Sequence, residues 1–230
     1  AFSRRHGGTI AGLWPAGDRR SLVGPGAEVY TDWGLFDKGL HVASEWETNP
    51  RVSVEHDGDR LRLTFRGRLR HPSWNGVQTG PPAGPAVDYR VTYDVGKDAT
   101  LGVTLGATPA TPRPETSAFL AYRLPLALVD SWRVTGAEQI AEGRTGDRRG
   151  QRVYQAMGAA RMADLVVRLS GSGGDTQIAQ IRGEPVPPDN PFLLDDGPGS
   201  IQWFFALLAG TKTALEADRE VSASFKWHIN

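Results

Sequence analysis

The chain has 230 residues, no cysteine, and 26 basic residues set against 26 acidic ones, for a formal net charge of zero. These numbers exclude disulfides and thiolate metal centres, give no overall field to steer nucleic acid, and allow a core without cross-links. No apolar run approaches the roughly 20 residues of a membrane-spanning helix, so neither nucleic acid nor a membrane is expected as partner.

Taken in chain order, the first informative stretch is "HGGTIAGLWPAGDRRSLVGPG" (6–26), a short apolar strand meeting glycine turns. "HVASEWETN" (41–49) reads as a strand with His41, Ala43, Glu45 and Glu47 on one face and Val42, Ser44 and Trp46 on the other. "RLRLTFRGRLR" (60–70) alternates strictly: Leu61, Leu63, Phe65 and Leu69 share one face of a pleat, and Arg60, Arg62, Arg66, Arg68 and Arg70 share the other. It runs into "HPSWNG" (71–76), where Pro72 and Gly76 mark a loop.

"VDYRVTYDV" (87–95) and "ATLGVTLGA" (99–107) alternate in the same way across a "GKD" turn, which predicts a hairpin. "FLAYRLPLALV" (119–129) and "IQWFFALLAG" (201–210) are apolar on both sides, as strands covered on both faces are. Pro125 places the first at a bulge or an edge. Residues 151–167 have helical composition, with Gly158 breaking it; a short helix followed by a strand over 164–169 fits equally. Residues 78–86, 106–116 and 183–199 are proline-rich and predict loops, the last long enough to carry function. "VSASFKWHI" (221–229) closes the chain as a perfectly alternating strand.

About a dozen strands with glycine and proline between them predict an all-β protein. The expected form is one domain over 1–230, a large two-layer antiparallel β-sandwich, supersandwich or jelly-roll-like, with at most one short helix.

The chemistry centres on residues 60–76. Alternate side chains on a strand stand about 7 Å apart, so Arg66, Arg68 and Arg70 form a cationic ladder that suits carboxylates repeating along a uronic-acid polymer. His71 could move protons near neutral pH, Trp74 could stack on a sugar ring, and Asn75 sits beside it. The plainer reading is a solvent-facing strand neutralised by Asp88 and Asp94, in a chain where 22 of the 26 basic residues are arginine. Glu45 and Glu47 form a second candidate, a carboxylate pair about 7 Å apart as in an inverting glycosidase. The sequence holds no G-x-S-x-G elbow, H-E-x-x-H helix, P-loop or dinucleotide fingerprint. No cofactor or metal is indicated, and a structural calcium is left open.

The opening 6–26 and the closing stretch 201–229 resemble the first and last hairpins of galactose-mutarotase-like β-supersandwich domains of carbohydrate-active proteins. That resemblance covers about a fifth of the chain and implies a two-layer antiparallel fold found in sugar enzymes and in accessory domains of lyases and glycoside hydrolases. It carries over no catalytic residue. The jelly-roll alginate and glucuronan lyases offer a second comparison. Their Q-I-H strand is echoed by "TQIAQIRGE" (176–184), with Arg182 where the family's histidine stands.

Three functions fit these features. The first is an enzyme acting on a polysaccharide, lyase or hydrolase. The second is a non-catalytic glycan-binding module, and the third a structural β-domain that packs against another domain or a copy of itself. A polysaccharide or oligosaccharide is the expected partner, with self-association as a further option. The opening at Ala1 without methionine fits a processed, secreted or periplasmic protein.

Overall fold

The alternating stretches 60–70, 87–95, 99–107 and 221–229 become strands. The computed structural model describes residues 1–12, 14, 44, 47–70, 87–98, 100–110, 120–135, 140–155, 166–170, 177–183, 189–208 and 216–229. Strands β1 (Phe2–Ser3) and β2 (Thr9–Ile10) pair with each other around a single 3-10 turn, Arg4–His6. A nine-stranded antiparallel sheet follows the order β3-β4-β5-β6-β15-β12-β11-β8-β9. Its strands are β3 (Arg51–Asp57), β4 (Arg60–Arg68), β5 (Val87–Gly96), β6 (Thr100–Pro109), β8 (Ser131–Thr135), β9 (Ile140–Arg144), β11 (Val166–Ser170), β12 (Gln177–Gly183) and β15 (Val221–Ile229). A four-stranded sheet, β10-β13-β14-β7, contains β7 (Leu120–Ala127), β10 (Arg152–Gln155), β13 (Asp189–Gly197) and β14 (Ser200–Leu208). The architecture is an all-β sandwich.

One face of the large sheet is core. Tyr89, Val91 and Tyr93 of β5, Leu101, Val103 and Leu105 of β6, and Phe65 of β4 are all buried. The N-terminal strand pair closes over them: the Phe2 ring lies 4.5 Å from Tyr93 and 6.4 Å from Phe65, and Ile10 is buried beside them. The opposite face is polar. Hydroxyls line up across it in one register row, Thr64, Thr92, Thr104 and Ser224. Thr64 pairs with Thr92 at 3.1 Å and Thr104 with Ser224 at 3.0 Å.

Four expectations are corrected. Residues 189–197 are strand, not loop: Phe192, Leu193 and Leu194 pair with β14, and Pro191 falls where the register shifts, a bulge that spares it a ladder bond. The helix over 151–167 gives way to strand at 152–155 and again from Val166; residues 156–165 lie outside the described residues. The stretch 201–229 is not a hairpin, because β14 and β15 belong to different sheets. In 41–49, Ser44 sits in a 3-10 turn and residues 48–49 in a bend, with Glu47 N–H donating to the Ser44 carbonyl at 2.9 Å. A backbone committed to that turn does not form a ladder. Pro125 lies on β7, an edge strand.

A single buried acid joins the sheets. Asp195 of β13 is fully buried, and its carboxylate accepts four backbone N–H bonds from three residues: Gly146 (2.8 and 3.0 Å), Arg148 (2.8 Å) and Gly197 (3.0 Å). The donors Gly146 and Arg148 follow β9 of the other sheet. Gly146 and Gly197 take φ of +94° and +124°, left-handed conformations that aim their amides inward. Truncating this acid leaves the buried Gly197 amide and the partly buried Gly146 and Arg148 amides without this acceptor. Asp195→Ala is expected to lower unfolding free energy by about 3 kcal/mol, and Asp195→Asn, which keeps one acceptor oxygen, by less, in urea titrations.

Candidate functional site

The polar face of the large sheet is not flat. Where β3, β4 and β5 meet β6, a hollow of about 520 Å³ is lined by Arg51, Arg66, Arg68, Arg70, Arg90, Asn49, Thr108 and three acids, Glu47, Asp88 and Glu220, above Gly67 and Tyr89. The strand register builds it. Arg51 of β3 faces Arg66 of β4, which faces Arg90 of β5, which faces Gly106 of β6. Three guanidiniums therefore stand in one row across three strands, with side chains about 5 Å apart at their bases.

Most of the arginines have partners. Arg90 makes a two-pronged ion pair with Glu220, its Nε donating at 3.2 Å. A Cβ at Gly106 would lie 2.6 Å from the Glu220 carboxyl carbon, so the missing side chain is what lets Glu220 cross β6 to reach Arg90. This hydrogen bond raises the guanidinium pKa above its ordinary value. Arg68 donates to Asp88 at 3.2 Å, and Arg70 to Glu47 at 2.9 Å. Arg62, on the same face but outside the hollow, pairs with Asp94 at 2.7 Å. Among the described residues Arg51 and Arg66 have no acid within ion-pair distance. Among the described residues that line the hollow, five arginines stand against three carboxylates, an excess of two positive charges.

Glu47 is buried, and its carboxylate is committed. It accepts from Arg70 Nε at 2.9 Å, from the Asn49 amide at 3.0 Å and from the Arg68 amide at 3.4 Å. Its carbonyl takes the Gly7 N–H at 2.9 Å, while the Gly7 carbonyl takes the Tyr89 hydroxyl at 2.9 Å. Glu47 thus pins the N-terminal turn to β4 and sets the guanidinium of Arg70. Burial, and then the Glu47 charge, push the Tyr89 hydroxyl well above its usual range, which removes it as a base at neutral pH.

Of the residues singled out by sequence, the structure brings Glu47, Arg66, Arg68 and Arg70 to one hollow. Arg182 lies on β12 in register with Lys226, on the cross-sheet row of Gly102, Asp94 and Arg62. His71, Trp74, Asn75 and Glu45 lie outside the described residues. Arg51, Arg90, Asn49 and Glu220 were not foreseen. Their placement depends on which strands pair and in what register, information that no single segment carries.

No protein-family profile matches the chain, and no curated protein does. Solved structures do. An aldose epimerase homologue from C. elegans matches 98% of this chain and 94% of its own length at 10% identity, with a TM-score of 0.52. A galactose 1-epimerase from Lactobacillus acidophilus matches 98% of this chain and 89% of its own, at 8% identity and a TM-score of 0.56. The likeness is one of fold, and the fold is the galactose-mutarotase-like one that the two ends of the sequence resemble.

Two glycines of the large sheet, Gly67 in the hollow and Gly102 on the Arg62 row outside it, give a test of the packing. A Cβ at Gly67 would meet Glu47 Cγ at 2.8 Å and the Tyr89 ring at 3.0 Å, whereas one at Gly102 meets only Asp94, at 3.4 Å. Gly67→Ala is expected to destabilise by about 2 kcal/mol through displacement of Glu47. Gly102→Ala is expected to be neutral or slightly stabilising; thermal melts of the two variants measure the contrast.

Proposed function

We propose that this is a carbohydrate-active protein that takes an acidic saccharide, a uronic-acid unit of a polysaccharide, in the arginine-lined hollow. The observation that carries this reading is the register-matched pair Arg51 and Arg66, two exposed guanidiniums without an acid among the described residues. Guanidinium binds carboxylate through two parallel N–H bonds, and a row of such groups costs stability until an anion joins it. The volume, about 520 Å³, falls inside the range of roughly 300–1,000 Å³ usual for small-ligand sites. The fold is shared with proteins named for epimerising aldoses and galactose, which brings sugars to mind before other anions.

Two forms of the reading differ in whether a proton moves. In a lyase, Arg51 and Arg66 neutralise the uronate carboxylate, which acidifies the neighbouring ring carbon; His71, the residue after Arg70, takes that proton, the electron pair forms the ring double bond, and the glycosidic oxygen leaves with a proton from water. Trp74 and Asn75 would then hold the adjoining ring. The engagement of Glu47 by three donors favours this form over a two-carboxylate hydrolase. In a binding module the same contacts are made and no proton moves.

Affinity electrophoresis against oligogalacturonate, with neutral maltooligosaccharide as control, separates the cases. Retardation by the acidic polymer alone is expected, weakened about 10–100-fold in Arg66→Ala and unchanged in Arg62→Ala. Ultraviolet absorbance of an unsaturated product, lost in His71→Ala, identifies a lyase; binding without it identifies a module. Equal retardation by both polymers, or retardation indifferent to Arg66, overturns the proposal.

A further inference from the structure

Among the described residues, strand β3 is an unusual edge of the large sheet. All seven of its residues, Arg51–Asp57, are exposed, including Val52 and Val54, the latter 56% exposed. Its pairing with β4 runs from Arg51↔Arg66 to Asp57↔Arg60 without a shift, so no bulge turns it away. It contains no proline and no lysine. The other edges of the two sheets, among the described residues, are blunted. β9 has only five residues and holds Gly143, β10 has four and a register shift, and β7 carries Pro125. A long, straight, partly apolar edge is a template for another strand.

The sequence of β3 says which strand fits. Gly58 and Asp59 form a two-residue loop, with Gly58 at φ +57°, between the paired residues Asp57 and Arg60. Residues flanking such a loop exchange both backbone hydrogen bonds, and the pattern alternates along the strand. Arg51, Ser53, Glu55 and Asp57 therefore turn their backbone groups to β4, and Val52, Val54 and His56 turn theirs outward. These three are symmetric about Val54. When a second β3 is laid antiparallel on that axis, Val54 faces Val54 of the second copy and Val52 faces its His56. On the polar face Arg51 meets Asp57 of the second copy. Opposite charges coincide at Arg51 and Asp57, valine meets valine on the axis, and every outward amide finds a carbonyl.

We propose that two copies of this chain join through β3, antiparallel about Val54, making one continuous sheet from two large ones. The charge match of Arg51 with Asp57 of the second copy argues for a copy of this chain over an unrelated strand. The same match brings an acid of the second copy towards the rim of the hollow, through Arg51.

Sedimentation velocity over a concentration series, paired with amide exchange, tests this. The protein is expected to sediment as a dimer, with slow exchange at Val52, Val54 and His56 that speeds up on dilution. Val54→Lys sets two cations on the axis, and Val54→Pro removes a bridging N–H; each is expected to raise the dissociation constant at least 100-fold. Unchanged exchange at Val91 and Val103 shows that the variants keep their fold. A monomer at the highest soluble concentration overturns the proposal, as does a dimer indifferent to both substitutions. Slow exchange at those three amides in a monomer also overturns it, and assigns the edge to another segment of this chain.

Discussion

Three guanidiniums set side by side across β3, β4 and β5 shape the rest of the polar face. Like charges directly opposite on neighbouring strands repel, and Arg51, Arg66 and Arg90 are held there by an unbroken register. The chain relieves part of the strain by sending Glu220 across Gly106 to Arg90. Small side chains on β6, with Gly106 and Thr108 at the hollow, keep this strand low enough for that crossing. The two remaining cations face an open depression. One more acid at this place would add stability, and its absence among the described residues matches the usual relation between a binding site and its scaffold, as the proposed function requires.

The acids divide by task. Asp195 is a strut, fully buried, with amides from both sheets converging on it. Glu47 is a latch. It draws the N-terminal turn, the Arg70 side chain and the start of the β3 strand into one network, and it sits over Gly67, where any side chain would displace it. Both carboxylates are engaged by several donors. The unengaged charge of the hollow, among the described residues, is therefore that of its cations, and this is the ground for the proposed anionic ligand. The exposed edge beside it, β3, shares Arg51 with the hollow, so ligand binding and strand pairing would draw on the same side chain.

Much of the fold was legible because period-two alternation is a direct image of a pleated sheet with one buried face. Residues 87–95 and 221–229 show it in full, and both are strands to within a residue. The pattern of β3, "RVSVEHD", also alternates, but it drew no reading because its apolar members are few and, in the structure, exposed. Residues 189–197 were hidden by Pro191, which reads as a breaker unless a bulge is known to sit there. Glu47 reads as one of a strand-borne pair only if 41–49 is extended; the Ser44 turn cancels that spacing. The site was half visible. Arg66, Arg68 and Arg70 lie on one segment, whereas Arg51, Arg90 and Glu220 join them through pairings that link distant parts of the chain.

The central claim is that the Arg51–Arg66 pair is a binding site kept at a cost to the empty protein. Thermal melting of Arg66→Gln, with and without galacturonate, tests it most directly. The account predicts that the variant melts about 1–2 °C above the parent when empty, and that galacturonate raises the melting temperature of the parent alone. A variant that melts lower than the parent, and that galacturonate stabilises just as well, would contradict it.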